Sequence, residues 1–316
     1  MSAVTEKSMK EILILGAGEL GMNVTKFLSE RIKGKPEYVI SVLLLPEVIK
    51  SNNSFDLKLI KTLSERSIKI IVGDVVKETI EELALKFKNY HTIVGCLGFS
   101  GGRGIQIKIT EAVLKAKVMR YFPWQFGVNY DLVGKGSPQP VFDEQYDVRT
   151  LLRSQQNTEW VIVSVGMITS FLFEPSLGVV DLKNQTINAL GDWNTEVTVT
   201  SAEDIGRLTA EIILFEPRII NQVMFVAGDT ISYKQLAEII EKQSGTKFKR
   251  IKWDMDYLKK EIENDPQDNI KRYRAVFGEG IGVSWSKEKT FNFKEGLKME
   301  SAEQWVMKNL IISEKS

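Results

Sequence analysis

Short apolar segments alternate with amphipathic segments over the first half of the chain. Helical patterns occupy residues 20–32, 79–87, 105–116 and 142–153. The apolar runs between and beside them predict strands at residues 11–15, 38–45, 67–72, 92–97, 118–122 and 160–165. Strands that are apolar on both faces and separated by helices are typical of a parallel sheet covered on both sides. The pattern therefore predicts a doubly wound α/β fold.

The alternation becomes irregular after residue 166. A helix is predicted to begin near residues 201–204, a strand to cover 222–227 and a second helix to cover 232–244. We expect a smaller lobe that closes over the carboxyl ends of the strands, where open α/β sheets bind their ligands. The predicted division is therefore residues 1–165 and residues 166–316, with part of the later chain returning to the sheet.

The amino-acid composition limits the kinds of ligand and partner that the protein is expected to bind. The 42 Lys and Arg residues nearly balance the 41 Asp and Glu residues, which predicts no binding of nucleic acid. A single cysteine, Cys96, excludes an intrachain disulfide, and a single histidine, His91, excludes a two-histidine metal motif. The longest apolar stretch, residues 161–175, is interrupted by polar residues and falls short of the roughly 20 that a membrane span needs. We expect a cytoplasmic protein without a metal or a membrane partner.

The first predicted strand leads into the sequence Gly-Ala-Gly-Glu-Leu-Gly at residues 16–21. A G-x-G-x-x-G pattern between a strand and a helix is the dinucleotide-binding fingerprint. Gly16 would form the tight turn, Gly18 would let the backbone approach a pyrophosphate, and Gly21 would allow close helix–strand packing. The helix that begins at Glu19 and Leu20 would direct its free N–H groups and positive dipole end at the phosphates.

The end of the second strand normally selects the coenzyme. An acid there binds the ribose 2′-hydroxyl of NAD, whereas an arginine accepts the 2′-phosphate of NADP. Here Leu45 is apolar and Glu47 is the nearest acid, while Lys50, Lys58 and Lys61 follow. This excess of lysines favours NADPH and leaves NADH open.

Several motifs together resemble one family. They lie at residues 16–21, 95–99, 121–127, 148–149, 191–195 and 204–206, and Pro-Trp-Gln-Phe-Gly at 123–127 is the most specific. The chain resembles the NmrA-like branch of the atypical short-chain dehydrogenase/reductases, which includes isoflavone, pinoresinol–lariciresinol and phenylcoumaran benzylic ether reductases. Residues 123–130 and 166–173 resemble the fungal members. The resemblance covers about residues 11–310 and implies an NADPH-binding Rossmann fold with a small substrate lobe.

The same resemblance assigns candidate site residues. It implies that Gly98 and Phe99 end the fourth strand beside the nicotinamide ribose. The residues that would flank the nicotinamide ring are Pro123, Trp124, Gln125 and Phe126. Those that would line an apolar substrate pocket are Phe126, Met167, Phe171 and Trp193. Ordinary core packing is the alternative for these side chains, and it is the prediction for Cys96.

Two positions depart from the family pattern. Leu45 stands where the family usually has an arginine, and Gln145 stands where its reductases carry a general acid–base lysine, four residues before Arg149. No tyrosine has a lysine four residues later, so the ordinary short-chain pair is missing as well. A glutamine amide has no proton to donate near neutral pH.

Three hypotheses are compatible with this loss. A cyclic imine is largely protonated on its own, so Gln145 would only orient it by hydrogen bonding. A reductase of aryl carbonyls or activated alkenes would need another acid, for which the candidates are Tyr130, Asp143, Glu144 and Tyr146. A non-catalytic sensor would bind the dinucleotide and report redox state to a protein partner. The predicted apolar pocket suits a small-molecule substrate and favours a reductase, with a cyclic imine first.

Overall fold

The structure, a computed structural model, describes residues 9–99 and 101–310. The strands are β1 (Lys10–Leu15), β2 (Tyr38–Leu44), β3 (Lys69–Val72), β4 (Thr92–Gly95), β5 (Arg120–Phe122), β6 (Glu159–Ser164), β7 (Met167–Ile168), β8 (Val180–Asp181), β9 (Thr186–Leu190), β10 (Glu196–Thr200), β11 (Gln222–Phe225), β12 (Asp229–Ser232) and β13 (Lys249–Trp253). The helices are α1 (Glu19–Arg31), α2 (Pro46–Lys50), α3 (Ser54–Glu65), α4 (Ile80–Phe87), α5 (Ile105–Lys115), α6 (Tyr130–Val133), α7 (Val141–Arg153), α8 (Ala202–Leu214), α9 (Tyr233–Ser244), α10 (Met255–Asn264), α11 (Asn269–Glu279), α12 (Phe291–Lys294) and α13 (Ala302–Asn309).

Seven strands form the main sheet in the order β11-β6-β5-β4-β1-β2-β3. The pairs from β6 through β3 are parallel, with Leu15 opposite Leu43 and Leu44 opposite Val72. Read from β3, this is the 3-2-1-4-5-6 order of a doubly wound sheet, which reverses direction between β1 and β4. The predicted fold class is confirmed. Three strand boundaries differ from the prediction by two residues, because β3 begins at Lys69, β4 ends at Gly95 and β5 begins at Arg120.

The chain divides into two compact units whose segments interleave. The first contains residues up to 124, 147–162 and 206–223, and the second contains 125–146, 163–205 and 224 onward. The division predicted at residue 165 stays a prediction. Residues 206–223 of the later chain belong to the first unit, and β11, which begins at Gln222, is the edge strand of the main sheet. The coenzyme- and substrate-binding roles given to the two parts stay predictions.

Arg120 explains why residues 206–223 belong with the first unit. Its guanidinium is buried at the start of β5 and donates to the carbonyl oxygens of Ile213, at 2.6 Å, and Ile219, at 3.1 Å. These bonds satisfy carbonyls at and beyond the end of α8, which the helix itself leaves free. Burial lowers the pKa of Arg120 to about 10, so the side chain stays charged near neutral pH.

Each unit has its own hydrophobic core. In the first, β1 and β4 contribute Leu13, Leu15 and Ile93, which pack with α4 and α5. In the second, the three-stranded sheets β12-β10-β7 and β13-β9-β8 pack with residues of α9, α10 and α11. The alternating apolar positions of these short strands supply one buried face to that core.

Glu241 ties α9 to the following strand β13. Its carboxylate accepts hydrogen bonds from Arg250 Nε at 3.2 Å and Nη2 at 3.0 Å, and from Lys247 Nζ at 3.0 Å. The Arg250 hydrogen bond is the main cause that lowers the pKa of Glu241 to about 2, although burial acts in the opposite direction. A two-point Arg–carboxylate pair is the geometry in which an ion pair stabilises most.

We expect Glu241→Gln to reduce the free energy of unfolding at pH 7 by about 1–2 kcal/mol. A lowered pKa stabilises the fold above the ordinary value of 4.5, and that contribution disappears as the pH falls towards 2. Urea unfolding should therefore separate the variant from the native protein at pH 7 and bring them together near pH 2–3. Glu238→Gln, on the exposed side of α9, is the matched control. A difference that persists at low pH would show that the charge is not the cause.

Candidate functional site

The turn between β1 and α1 requires glycine at its first position. Gly16 has a φ of +100°, which side chains disfavour, and a Cβ there would lie 2.9 Å from Leu97 Cδ2. The N–H of Cys96 donates to the Leu15 carbonyl at 2.9 Å, which holds the ends of β1 and β4 together beside this turn.

Gly21 and Gly18 have opposite surroundings. A Cβ on Gly21 would lie 2.1 Å from the Gly16 carbonyl oxygen, so α1 packs directly on the turn. A Cβ on Gly18 would meet nothing within 4 Å, and no side chain caps the helix that follows it. By contrast, Thr79 caps α4 through a capping box. An uncapped helix N-terminus beside open space suits an anion such as a pyrophosphate.

A second group of residues lies after β4 and β5, still within the first unit. Gly98 has a φ of +62° and faces Trp124, and the rings of Phe99 and Trp124 meet edge to face at 4.4 Å. Gln106 Nε2 fixes this turn by donating to the Gly98 carbonyl at 2.6 Å. The structure therefore brings Gly98, Phe99 and Trp124 together, with Pro123 next in the chain. The prediction that Gly98 and Phe99 end the fourth strand was wrong, since β4 ends at Gly95 and both lie in the turn beyond it.

Gln125 and Gln145 form a buried amide pair in the second unit. Gln125 Nε2 donates to the backbone carbonyl of Gln145 at 2.9 Å and to its Oε1 at 2.8 Å. Because a backbone carbonyl can only accept, the Gln125 amide nitrogen must face it. Since Gln125 Nε2 is a donor, the atom of the Gln145 amide that faces it must be the acceptor, Oε1. The remaining Nε2 of Gln145 is a buried donor with no partner among the described residues.

Tyr130, a candidate acid, is packed rather than open. It is 2% exposed, and its ring lies 5.0 Å from that of Phe142. Its hydroxyl lies directly under Gly127, where a Cβ would come within 2.3 Å of the oxygen. Asp143, another candidate, accepts the N–H of Gly136 at 2.9 Å. These contacts give both residues structural roles, and their catalytic roles stay predictions.

The predicted substrate-pocket residues lie in well-packed surroundings. Met167 belongs to the core of the second unit, and Phe171 and Trp193 pack against that core. The Phe171 ring contacts Tyr273 at 5.9 Å, and the Arg250 guanidinium lies 5.8 Å from the Trp193 ring. Phe126 is also buried. The alternative of ordinary core packing describes these contacts, and a pocket-lining role stays a prediction.

An unpredicted lysine, Lys77 after β3, pairs with Glu47 on the helix that follows β2. Leu45 is 42% exposed and precedes α2, whose last residue, Lys50, is exposed as well. Lys77 Nζ lies 3.0 Å from Glu47 Oε1 and 3.2 Å from Asp74 Oδ2. Hydrogen bonds with Glu47 and then Asp74 raise the pKa of Lys77. No local sequence pattern identifies Lys77, because its proximity to Glu47 depends on the parallel pairing of β2 with β3.

Other candidate groups are inert or structural. Cys96 is buried, which raises its pKa to about 12, and this confirms the predicted core role. His91 is half-buried, with Nδ1 2.8 Å from Thr92 Oγ1. Within residues 9–99 and 101–310, no cluster of His, Cys, Asp and Glu side chains is arranged to hold a metal ion. None of the helices described is long and apolar enough to span a bilayer.

A doubly wound sheet with a glycine turn after its first strand defines a Rossmann-type protein. The chain belongs to the NmrA-like family, whose model matches residues 8–301, and this confirms the motif resemblance. It is 43% identical over 298 residues to an NmrA-like family domain-containing oxidoreductase of Gibberella moniliformis, covering 93% of this chain and 96% of the relative. It is 25% identical to a phenylcoumaran benzylic ether reductase of Pyrus communis, covering 90% and 92%. The fold matches a leucoanthocyanidin reductase–NADPH complex from Vitis vinifera with a TM-score of 0.78, at 18% identity and covering 95% and 99%.

Gly18, directly before α1, and Gly21, within α1, should separate folding from binding. We expect Gly21→Ala to destabilise the protein by roughly 1–3 kcal/mol or more, because its methyl group overlaps a backbone oxygen. Gly18→Ala should leave the thermal midpoint nearly unchanged, because its surroundings are open, yet weaken dinucleotide binding. Thermal unfolding and titration calorimetry test both variants. Native-like dinucleotide affinity in Gly18→Ala would contradict the assignment of this turn as the pyrophosphate site.

Proposed function

We propose that this protein is an NADPH-dependent reductase that transfers hydride to a small organic substrate. The arrangement that carries the proposal is the Gly16–Gly21 turn, in which an uncapped helix begins beside open space at Gly18. The relatives named as an oxidoreductase and a reductase, and the fold shared with an NADPH complex, support the same function. NADPH supplies the hydride when bound.

The chain's own residues would bind and orient the coenzyme. Gly16, Gly18 and Gly21, with the amides of Glu19 and Leu20, would hold the pyrophosphate. Gly98, Phe99, Pro123 and Trp124 follow the strands β4 and β5 at the carboxyl edge of the sheet, where ligands of such folds bind. We assign them to the nicotinamide end, and the same role for Gln125 and Phe126 stays a prediction.

The substrate classes make opposite demands on Gln145. A protonated cyclic imine presents an N–H donor, which gains nothing from another donor. An aryl carbonyl or an alkene conjugated to a carbonyl presents an oxygen that becomes negative as hydride arrives, and amide N–H groups stabilise such an oxyanion. A proton from water or from another acid then completes the reduction. The free Nε2 of Gln145 therefore supports a carbonyl or an activated alkene over the cyclic imine favoured by sequence alone. Gln145 has no exposed surface, so a substrate reaches it only when neighbouring side chains move aside.

Gln145→Met should distinguish these classes. The variant keeps the side-chain length and removes the donor, so kcat/KM on aryl ketones and enones should fall by about 100-fold. Activity on cyclic imines should change little. Gln139→Met is the control, since Gln139 is an equally buried amide that instead donates to the Asn269 carbonyl. Equal losses on both substrate classes would remove the proposed role of Gln145.

A dinucleotide-binding sensor is the alternative function, and one observation favours it. Phe126 and Met167, two of the four residues predicted to line the substrate pocket, are buried, which leaves little of their surface for a substrate. A sensor needs a dinucleotide site and a protein partner but no such pocket. Under this alternative the chain would report redox state by binding one form of the coenzyme more tightly.

Equilibrium titration with NADPH, NADP⁺, NADH and NAD⁺ tests both functions. We expect NADPH to bind most tightly, because a reductase must take up the reduced coenzyme. Tighter binding of the oxidised forms would favour the sensor. Failure of all four nucleotides to bind would overturn the interpretation of the glycine turn, and with it the proposed reductase.

A further inference from the structure

The carboxyl ends of three neighbouring strands lie at one edge of the first unit. β1 pairs in parallel with β2, and β2 pairs in parallel with β3, so Gly16, Leu45 and Gly73 follow adjacent strands. The glycine turn follows β1 on this edge. The residue after β2 faces the adenosine ribose in dinucleotide-binding sheets, and its chemistry selects between NAD and NADP. Leu45 supplies neither a cation nor an acid there.

Lys77 brings a cation to this edge from the segment after β3. Its ammonium lies 3.0 Å from Glu47 Oε1, on the first turn of α2 directly after Leu45. It also lies 3.2 Å from Asp74 Oδ2. The Lys77 side chain is 71% exposed, so a ligand in solution can reach it.

Asp74 is a rigid support for that ammonium group. Its side chain is 10% exposed, and Oδ1 accepts the backbone N–H groups of Val76, at 2.9 Å, and Lys77, at 3.2 Å. An ammonium group has three N–H donors. Glu47 and Asp74 engage two of them, and the third remains for a further acceptor.

The other lysines packed nearby are engaged differently. Lys86 donates to the Val72 carbonyl at 2.9 Å and to Glu78 at 2.8 Å. Lys108 donates to the Val76 carbonyl at 3.0 Å. Of these three lysines, Lys77 is the one that pairs with the segment that follows Leu45.

We propose that Lys77 binds the 2′-phosphate of NADPH in place of the arginine missing at Leu45, and that Glu47 opposes it. The inference rests on the proposed NADPH-dependent function. The 2′-phosphate is an anion that Lys77 attracts and Glu47 repels, whereas the 2′-hydroxyl of NADH is neutral and can donate to Glu47. Coenzyme preference then depends on the balance between Lys77 and the two carboxylates that pair with it, Glu47 and Asp74.

Titration calorimetry with NADPH and NADH tests this pair. Lys77→Gln should weaken NADPH binding about tenfold, which corresponds to one charged hydrogen bond, and leave NADH binding within about twofold. Glu47→Gln should strengthen NADPH binding and weaken NADH binding. Leu45→Arg added to Lys77→Gln should restore NADPH binding. Raising the salt concentration should reduce the native preference for NADPH, because the contact is exposed.

Matched controls separate this inference from the proposed function. Lys88→Gln removes the same charge from an exposed position at the other end of α4 and should change neither affinity. Lys77 is an exposed ion-pair partner, so its replacement should leave the thermal midpoint nearly unchanged. If native protein binds NADPH and Lys77→Gln weakens both coenzymes equally, or neither, Lys77 is not the phosphate ligand. If native protein binds neither coenzyme, the proposed function itself fails.

Discussion

The contact between Gly21 and the Gly16 carbonyl oxygen is the constraint on which the first unit depends. A side chain on Gly21 would overlap that oxygen, so α1 can approach the end of β1 only through bare backbone. The close approach fixes where the helix begins, and therefore where its free N–H groups point. Every later element of the candidate coenzyme site is placed relative to this turn, because β2 and β4 flank β1 in the sheet. The backbone conformation thus requires glycine at position 16, and the packing of α1 requires glycine at position 21. The open space beside Gly18 leaves room for a ligand.

Hydrogen bonding gives the Gln125–Gln145 pair a direction that residue identities alone do not supply. A glutamine amide has a donor end and an acceptor end, and either could face a ligand. The backbone carbonyl of Gln145 accepts from Gln125 Nε2 and so fixes the orientation of the Gln125 amide. The same Nε2 donates to Gln145 Oε1 and so fixes the orientation of the Gln145 amide. The lysine expected from the family would contribute charge and a proton, whereas this pair contributes an oriented dipole.

Much of the first half of the fold could be predicted from sequence, because parallel strands buried on both faces consist of continuous apolar runs. The glycine turn was predictable for the same reason, since its spacing and its strand–helix context are both local. Helices α2 and α3 were missed, because α3 buries only Leu63 and its apolar stripe is correspondingly weak. Lys77 was also missed, since its proximity to Glu47 depends on the parallel pairing of β2 with β3 rather than on sequence distance. The burial of Met167 and Gln145 depends on tertiary packing, which no local pattern of the chain records.

The interleaved segments of the first unit have a consequence for the order in which the protein folds during synthesis. Arg120 leaves the ribosome well before Ile213 and Ile219, whose carbonyls its guanidinium requires. Until then, its charge must stay hydrated, and the region around the start of β5 cannot close around it. Completion of the first unit therefore waits for residue 223, after much of the second unit has already emerged. The nascent chain consequently cannot complete the folding of the first unit before synthesis of the second unit has begun.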